Sequence, residues 1–355
     1  MDIYRNIDRN VIQFDFYSCS QEKGVFDDEI EALGGIVYYG KKLSFSGTLR
    51  ISDQFFAFLS DHPEYRIVHC HMNQWCGLIL KGAYMAGVPH RIAHSRTSLE
   101  TVTLKNVIKN TIKIPTVKYA NHYFAVSKKA GIWLFGKKLV QSGKVEILPN
   151  AINCSLFQYN EQRRIEIRKK LNLSSQFVLI NVGNLRFEKN QKFLLEVLAK
   201  IPSSVDNIKL LFVGGDSGLK NKLVEKANSL GVKDKVVFLG SRTDVADLLF
   251  AADVFVFPSL YEGFPGAVLE AEASGIPCLI SERITYEVCI NDNAFVLPIT
   301  NAEIWKDKVL QLYVQQSDYP EMNRARNVKV DIMNYDIHRL IDILSKKYIS
   351  YNMGY

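Results

Sequence analysis

The sequence lacks several features that would have fixed its class at once. None of its 355 residues lie in a run of about 18 apolar residues, so a membrane-spanning helix is not expected. The opening decamer MDIYRNIDRN is too polar and charged for a secretory signal. The six cysteines (Cys19, Cys70, Cys76, Cys154, Cys278 and Cys289) form no C-x-x-C pair. That argues against a zinc ribbon or a disulfide framework and fits reduced thiols in a cytoplasmic protein. There is no P-loop and no G-x-G-x-x-G, and VGGDSG at 213–218 has the wrong spacing for a dinucleotide fingerprint. No Asp-x-Asp pair occurs, so one common means of clamping a divalent cation on a diphosphate is missing. Acids are almost absent from Arg91 to Lys144, where eleven Lys/Arg face only Glu100. Such a field attracts phosphates, anionic lipids or nucleic acid, unless it is simply a solvated basic face. Aromatics do not recur there as a stacking platform requires, so nucleic acid is not expected.

What is present is a length and a 47% hydrophobic content sufficient for two cores. From about 177 onward short apolar runs alternate with helical spacing. FVLINVG, IKLLFVGG, VVFLG, VFVFPS and PCLIS read as strands. KNQKFLLEVLAKI, LKNKLVEKANSLG and DVADLLFAA read as helices, with Gly231 closing the second and Asp244 capping the third. This alternation predicts an α/β fold with a doubly wound parallel sheet. The first half predicts a second such unit, with strands in IQFDFYS, GIVYYG, RIVHCH, HRIAHS, HYFAVS and KVEILPN. MDIYRNIDRN reads as the end of a helix, so the first strand of the N-terminal domain and its Gly-rich turn are expected to be missing, through a different or a late start. The expected division is 1–155, 156–330 and a C-terminal helix in 331–355 that packs back on the first domain. Two such domains would place a cleft at their strand carboxyl ends.

The densest chemistry lies in PSLYEGFPGAVLEAEASGIPC, 258–278. The turn follows a strand, Gly263 and Gly266 allow close approach of backbone, and a helix begins near 266. Its free N–H groups and positive dipole end suit a phosphate. Glu270 can then reach a ribose diol, and Glu262 the hydroxyls of whatever the phosphate carries. The plainer alternative is a capped helix with two solvent-facing acids.

That stretch resembles the E-x7-E donor motif of retaining glycosyltransferases of family 4, which have the GT-B fold of two Rossmann-like domains. VGNLRFEKNQ, FLGSRTDVADLLFAADVFVFPS and ILPNAI resemble further segments of the same family, and RIVHCHMNQWCG and RIAHSRTS resemble its acceptor-domain strand ends. The similarity is greatest to the branch that makes capsular and extracellular polysaccharides. The resemblance implies a nucleotide-diphosphate sugar, commonly a uridine one, as donor and a lipid-linked or saccharide acceptor. It implies that Glu270 binds the ribose and that Glu262, Gly263, Phe264 and Pro265 hold the sugar. The amides of Val268 and Leu269 would meet the diphosphate, with the Lys189 ammonium upon it. His94 would face the sugar from the acceptor domain, and Arg242 falls in the base-contacting loop. No cofactor and no metal are implied. The family's arginine after the loop glycine is replaced by Asn184, and Arg186 is the candidate substitute. A truncated protein that binds nucleotide sugar without transferring it is the alternative.

Two further features bear on what the chain could bind. His69 and His71 alternate on one strand and share a face, but no third metal ligand is visible at suitable spacing. Within 104–113, Leu104, Ile108 and Ile112 form one stripe and Lys105, Lys109 and Lys113 the next, a basic amphipathic helix suited either to an anionic membrane surface or to a domain face.

Overall fold

The computed structural model describes residues 1–41, 48–98, 110–318 and 324–353, in two compact units. One comprises Met1–Pro149 with Ile337–Tyr355, and the other Asn150–Asp336. Leu104, Lys105, Ile108 and Lys109 lie outside the described residues.

In the first unit, β1 (Phe16–Ser18) and β2 (Val37–Tyr39) pair in parallel. A second parallel sheet runs in the order β3 (Ile67–Cys70), β4 (His90–Ser95), β5 (His122–Ala125) and β6 (Val145–Ile147). Helix Ile337–Met353 belongs to this unit and lays Leu344 and Tyr348 against Ile92, Phe124 and Leu148. The opening segment is helical over Asp2–Asn6.

The second unit carries β7 (Phe177–Val182), β8 (Ile208–Val213), β9 (Val236–Gly240), β10 (Val254–Phe257), β11 (Cys278–Ser281) and β12 (Ala294–Leu297). Every pairing is parallel. VFVF is wholly apolar and FVLINV is apolar but for Asn181, whose side chain donates to the Val256 carbonyl at 2.8 Å, because both faces of a central parallel strand are covered by helices. Trp305, fully buried, fills the core beside Phe193 and donates its indole N–H to the Pro298 carbonyl at 2.9 Å.

Asp253, just before β10, is the electrostatic hub of this unit. Arg164 Nη2 lies 2.6 Å and Arg168 Nη1 3.3 Å from its carboxylate, Arg324 Nη2 4.0 Å, and Val178 donates its backbone N–H at 2.7 Å. Burial alone would raise the pKa of this acid, but the three guanidinium groups outweigh it and hold it below the usual range.

Glu272 is buried with no cation in contact among the described residues, and Lys329 acts on it only from a distance. One oxygen accepts the N–H groups of Ile290 (2.8 Å) and Asn291 (2.9 Å), and the other has no partner among the described residues. Burial pushes its pKa up to about 7 against the pull of those two amides. A carboxyl whose folded pKa exceeds its unfolded one binds more protons when folded, so stability falls as pH rises from the unfolded value toward the folded one. Raising the pH from about 5 to about 8 therefore costs about 2 kcal/mol through this group. Glu272→Gln flattens that slope in thermal melts; an unchanged slope refutes the assignment.

Candidate active site at the sheet switch point

The second sheet reads β9-β8-β7-β10-β11-β12. This is the doubly wound order whose direction reverses between the first and fourth strands, and ligands bind outside the carboxyl ends at that reversal. Here the reversal falls between β7 and β10, so the loops 183–190 and 258–265 leave the sheet side by side. Backbone runs close there: a Cβ on Gly214, after β8, would lie 2.3 Å from the Gly183 carbonyl oxygen. Leu260 donates its N–H to the Glu188 carbonyl (2.8 Å), and Asn190 Nδ2 donates to the Pro258 carbonyl (3.3 Å). Asn190 itself adopts φ +54°, the left-handed conformation that asparagine tolerates, and so turns the chain into helix Gln191–Ala199.

These ties bring Lys189 to Glu262. The ammonium donates to Glu262 Oε1 at 2.7 Å and lies 4.9 Å from the centre of the Phe257 ring. Both side chains are about four-fifths buried. Helix Gly266–Ala273 starts three residues beyond the Gly263 position, with Pro265 as its extended N-cap. A Cβ on Gly266 would meet nothing within 4 Å, so the space over the helix start is open. Val268 donates its N–H to the Pro265 carbonyl at 3.2 Å and Leu269 at 3.5 Å, the second too long to be more than weak. Both side chains, by contrast, are core. Phe264 and Pro265 are buried too: Phe264 stacks on Tyr335 (5.5 Å between centroids), and its carbonyl accepts from Asn150 Nδ2 at 2.5 Å. Glu270 is half-buried on the same helix.

Asn184 has a structural task that its position in the motif did not suggest. Its side-chain oxygen accepts the Gly215 N–H at 2.9 Å, joining the loops after β7 and β8, while its carbonyl accepts from Gln191 Nε2 at 3.0 Å. Arg186 extends toward the neighbouring loop, where Nε lies 3.3 Å from Ser217 Oγ. Asp244 does not cap helix Val245–Ala251 with its side chain. Its carboxylate is instead held in a fork by Arg242, with Nε at 2.8 Å and Nη2 at 2.5 Å. The guanidinium is the stronger donor for a carboxylate, and the fork occupies both oxygens. Ser259 Oγ, fully buried beside these loops and without a partner among the described residues, escaped the sequence reading because a serine after a strand carries no signal.

His94 lies in the first unit, on β4, and is buried. Its Nδ1 lies 3.1 Å from His69 Nε2, and His69 Nδ1 lies 2.6 Å from Tyr348 Oη. Burial holds both imidazoles well below the usual histidine range. The third nitrogen-bearing side chain absent from the sequence pattern is thus His94 itself, brought beside His69 and His71 by strand pairing. The basic segment is less available than its composition implied. Lys113 is not a free member of a lysine stripe: its ammonium donates to the Trp133 carbonyl and lies 4.9 Å from that ring's centre. Arg91 is likewise bound to the carbonyls of Tyr119 (2.8 Å) and Val88 (2.5 Å). No helix among the described residues is long and apolar enough to cross a membrane. All six cysteines are unpaired.

Two Rossmann-like units, one with loops gathered at its switch point, define the class: this is the fold of the GT-B glycosyltransferases. HepE of Anabaena, solved with UDP-glucose, superposes with a TM-score of 0.74 at 18% identity, over 93% of this chain and 90% of that one. The profile described as glycosyl transferases group 1 matches residues 163–328. EpsF of Bacillus subtilis (strain 168), named as a glycosyltransferase, is 32% identical over 292 residues, 81% of this chain and 76% of its own. The chain belongs to the glycosyl transferases group 1 family. CapH of Staphylococcus aureus, a capsular polysaccharide biosynthesis glycosyltransferase, is 26% identical over 99% of this chain and 94% of its own. An Escherichia coli enzyme named UDP-Gal:alpha-D-GlcNAc-diphosphoundecaprenol alpha-1,3-galactosyltransferase is 27% identical over 81% of this chain and 76% of its own.

Proposed function

We propose that this glycosyltransferase moves a sugar, with retention at the anomeric carbon, from a nucleotide-diphosphate sugar to a lipid-linked or saccharide acceptor in cell-surface polysaccharide synthesis. The observation that carries the reading is the Lys189–Glu262 pair at the switch point. Without donor the two groups satisfy each other. A donor supplies each with a better-matched partner, a diphosphate oxygen for the ammonium and sugar hydroxyls for the carboxylate. The helix start over Gly266 takes the diphosphate, with Glu270 on the ribose. Lys189 and that helix end meet the charge that grows on the leaving diphosphate, so the reading requires no divalent cation there. Glu262, Lys189 and His94 position and stabilise; none acts as a nucleophile.

UDP is the favoured nucleotide because HepE binds UDP-glucose and the Escherichia coli relative uses UDP-Gal. The same relative's diphosphoundecaprenol acceptor and the name of CapH support the lipid-linked acceptor and the polysaccharide setting. With such an acceptor, the cytoplasmic protein would work against the anionic inner face of the membrane through segment 91–144. Arg186 and Arg242 remain donor-side candidates, the latter once it leaves Asp244.

Donor turnover by wild type and Glu262→Ala, assayed with a panel of UDP-sugars and extracted lipid acceptors, tests the assignment. Loss of transfer in the variant is expected. Equal transfer by both proteins sinks it, and nucleotide binding by wild type without any transfer favours a nucleotide-sugar-binding protein instead.

A further inference from the structure

The first unit gathers uncompensated positive charge at one end of its second sheet. His71 lies one residue past β3, and Arg96 one residue past β4. The parallel register pairs His69 with Ile92 and Cys70 with Ala93, so further steps set His71 opposite His94 and Asn73 opposite Arg96. A hydrogen bond closes the last step: Arg96 donates its backbone N–H to Asn73 Oδ1 at 3.0 Å, with Asn73 in the left-handed conformation at φ +49°. Residues two apart share a face of a strand, so His71, His94 and Arg96 fall on one side. That end is the carboxyl end of both strands, where open parallel sheets take their ligands.

No acid balances the charge. Among the described residues the Arg96 side chain has no carboxylate or carbonyl partner, and burial lowers its pKa with no anion to raise it again. Burial first, then the charges of Arg96 and the N-terminal ammonium, hold His71 down to about 3. Arg96 acts in the same direction on His69 and His94. Yet the side chains of His71 and Arg96 both reach solvent. A partly desolvated guanidinium without a counterion is costly, and an entering anion removes that cost.

We propose that Arg96 and His71 form an anion subsite for the diphosphate of a lipid-linked acceptor, an inference that rests on the transferase reading. The planar guanidinium fork fits two oxygens of one phosphate group. A phosphate beside the His71 ring favours its charged form against the Arg96 repulsion, so the imidazole takes up a proton from solvent and donates to a phosphate oxygen. His94 stays outside the subsite. Its Nδ1 lies 3.1 Å from His69 Nε2, and its Nε2, without a partner among the described residues, keeps the sugar-facing role already proposed. The His71 and His94 ring centres are 5.0 Å apart, a length comparable to one sugar ring. The spacing suits a diphosphate carried by the same sugar that offers its hydroxyl to the donor.

The full chain, labelled with carbon-13 at histidine Cε1 and held in excess UDP, is titrated with pH by NMR, with and without farnesyl diphosphate. The His71 signal is identified by its loss in His71→Gln. Farnesyl diphosphate is expected to move the His71 titration up by more than about one pH unit. Arg96→Gln is expected to weaken the binding that causes the shift by about 10- to 100-fold, the worth of a charge-assisted hydrogen bond. No shift at His71, or equal affinity in Arg96→Gln, overturns the proposal. A shift with inorganic pyrophosphate that farnesyl diphosphate does not reproduce overturns the lipid-linked assignment. Matching melting curves of Arg96→Gln and wild type show that the loss is one of ligand and not of fold. The readout needs no sugar transfer. A missing shift in an enzyme that Glu262→Ala inactivates removes this subsite alone, and equal transfer by Glu262→Ala removes the donor assignment whatever His71 does.

Discussion

Lys189→Ala lowers kcat by about 100- to 1,000-fold, the usual cost of removing one preorganised charge from a site where negative charge develops. The expectation follows from how firmly the ammonium is placed. It is held 2.7 Å from Glu262 Oε1 and above the Phe257 ring, on a loop tied down by the Leu260 and Asn190 hydrogen bonds. Once the donor has taken the place of Glu262 as its partner, as proposed, the tied loop keeps the ammonium beside the diphosphate as it begins to leave. Since that charge is greater in the transition state than in the bound donor, kcat falls more than KM rises. Lys189→Arg restores little, because a planar fork does not reproduce a compact point charge. Initial rates at saturating donor make the measurement; an unaltered kcat removes Lys189 from the chemistry.

Asp253→Ala destabilises the protein by about 3–5 kcal/mol, the cost of removing one side of a buried ion pair. The variant leaves Arg164, Arg168 and Arg324 around a cavity with no anion. Arg324 is nearly fully buried, and its remaining partners are the carbonyls of Leu249, Phe250 and Ala252. The Val178 amide at the start of β7 loses its acceptor as well. Because the folded pKa is depressed, this stabilisation is present above the unfolded value of about 3.9 and is lost as pH falls through the folded one. Urea unfolding near neutral pH reads the effect. A loss below about 1 kcal/mol would mean that the arginines are satisfied by carbonyls alone.

The second unit was legible in the sequence because its strands are short, largely apolar runs separated by helical periods. VFVF and FVLINV admit few other readings. The motif order strand, turn, helix also placed Glu262 and Glu270 correctly on the local structure. Contacts that depend on pairing between distant strands were not legible. Asn184 reads as a lost arginine, and only the neighbouring β8 loop reveals the Gly215 hydrogen bond that it makes. Asp244 has the identity and position of a helix cap, yet the guanidinium two residues before it competes for the same oxygens. Glu270 and Glu272 differ by two positions in one helix. Only the packing of the 290–291 segment shows that the second is turned inward. His69 and His71 alternate along one strand, and only strand pairing brings His94 beside them.

The anomeric configuration of the product tests the central claim most directly. Wild-type protein is incubated with an α-configured UDP-sugar and an acceptor that it turns over, and the new linkage is read from the proton coupling at the anomeric carbon by NMR. The proposed front-face attack, aided by the leaving diphosphate, predicts an α linkage. A β linkage would contradict the account.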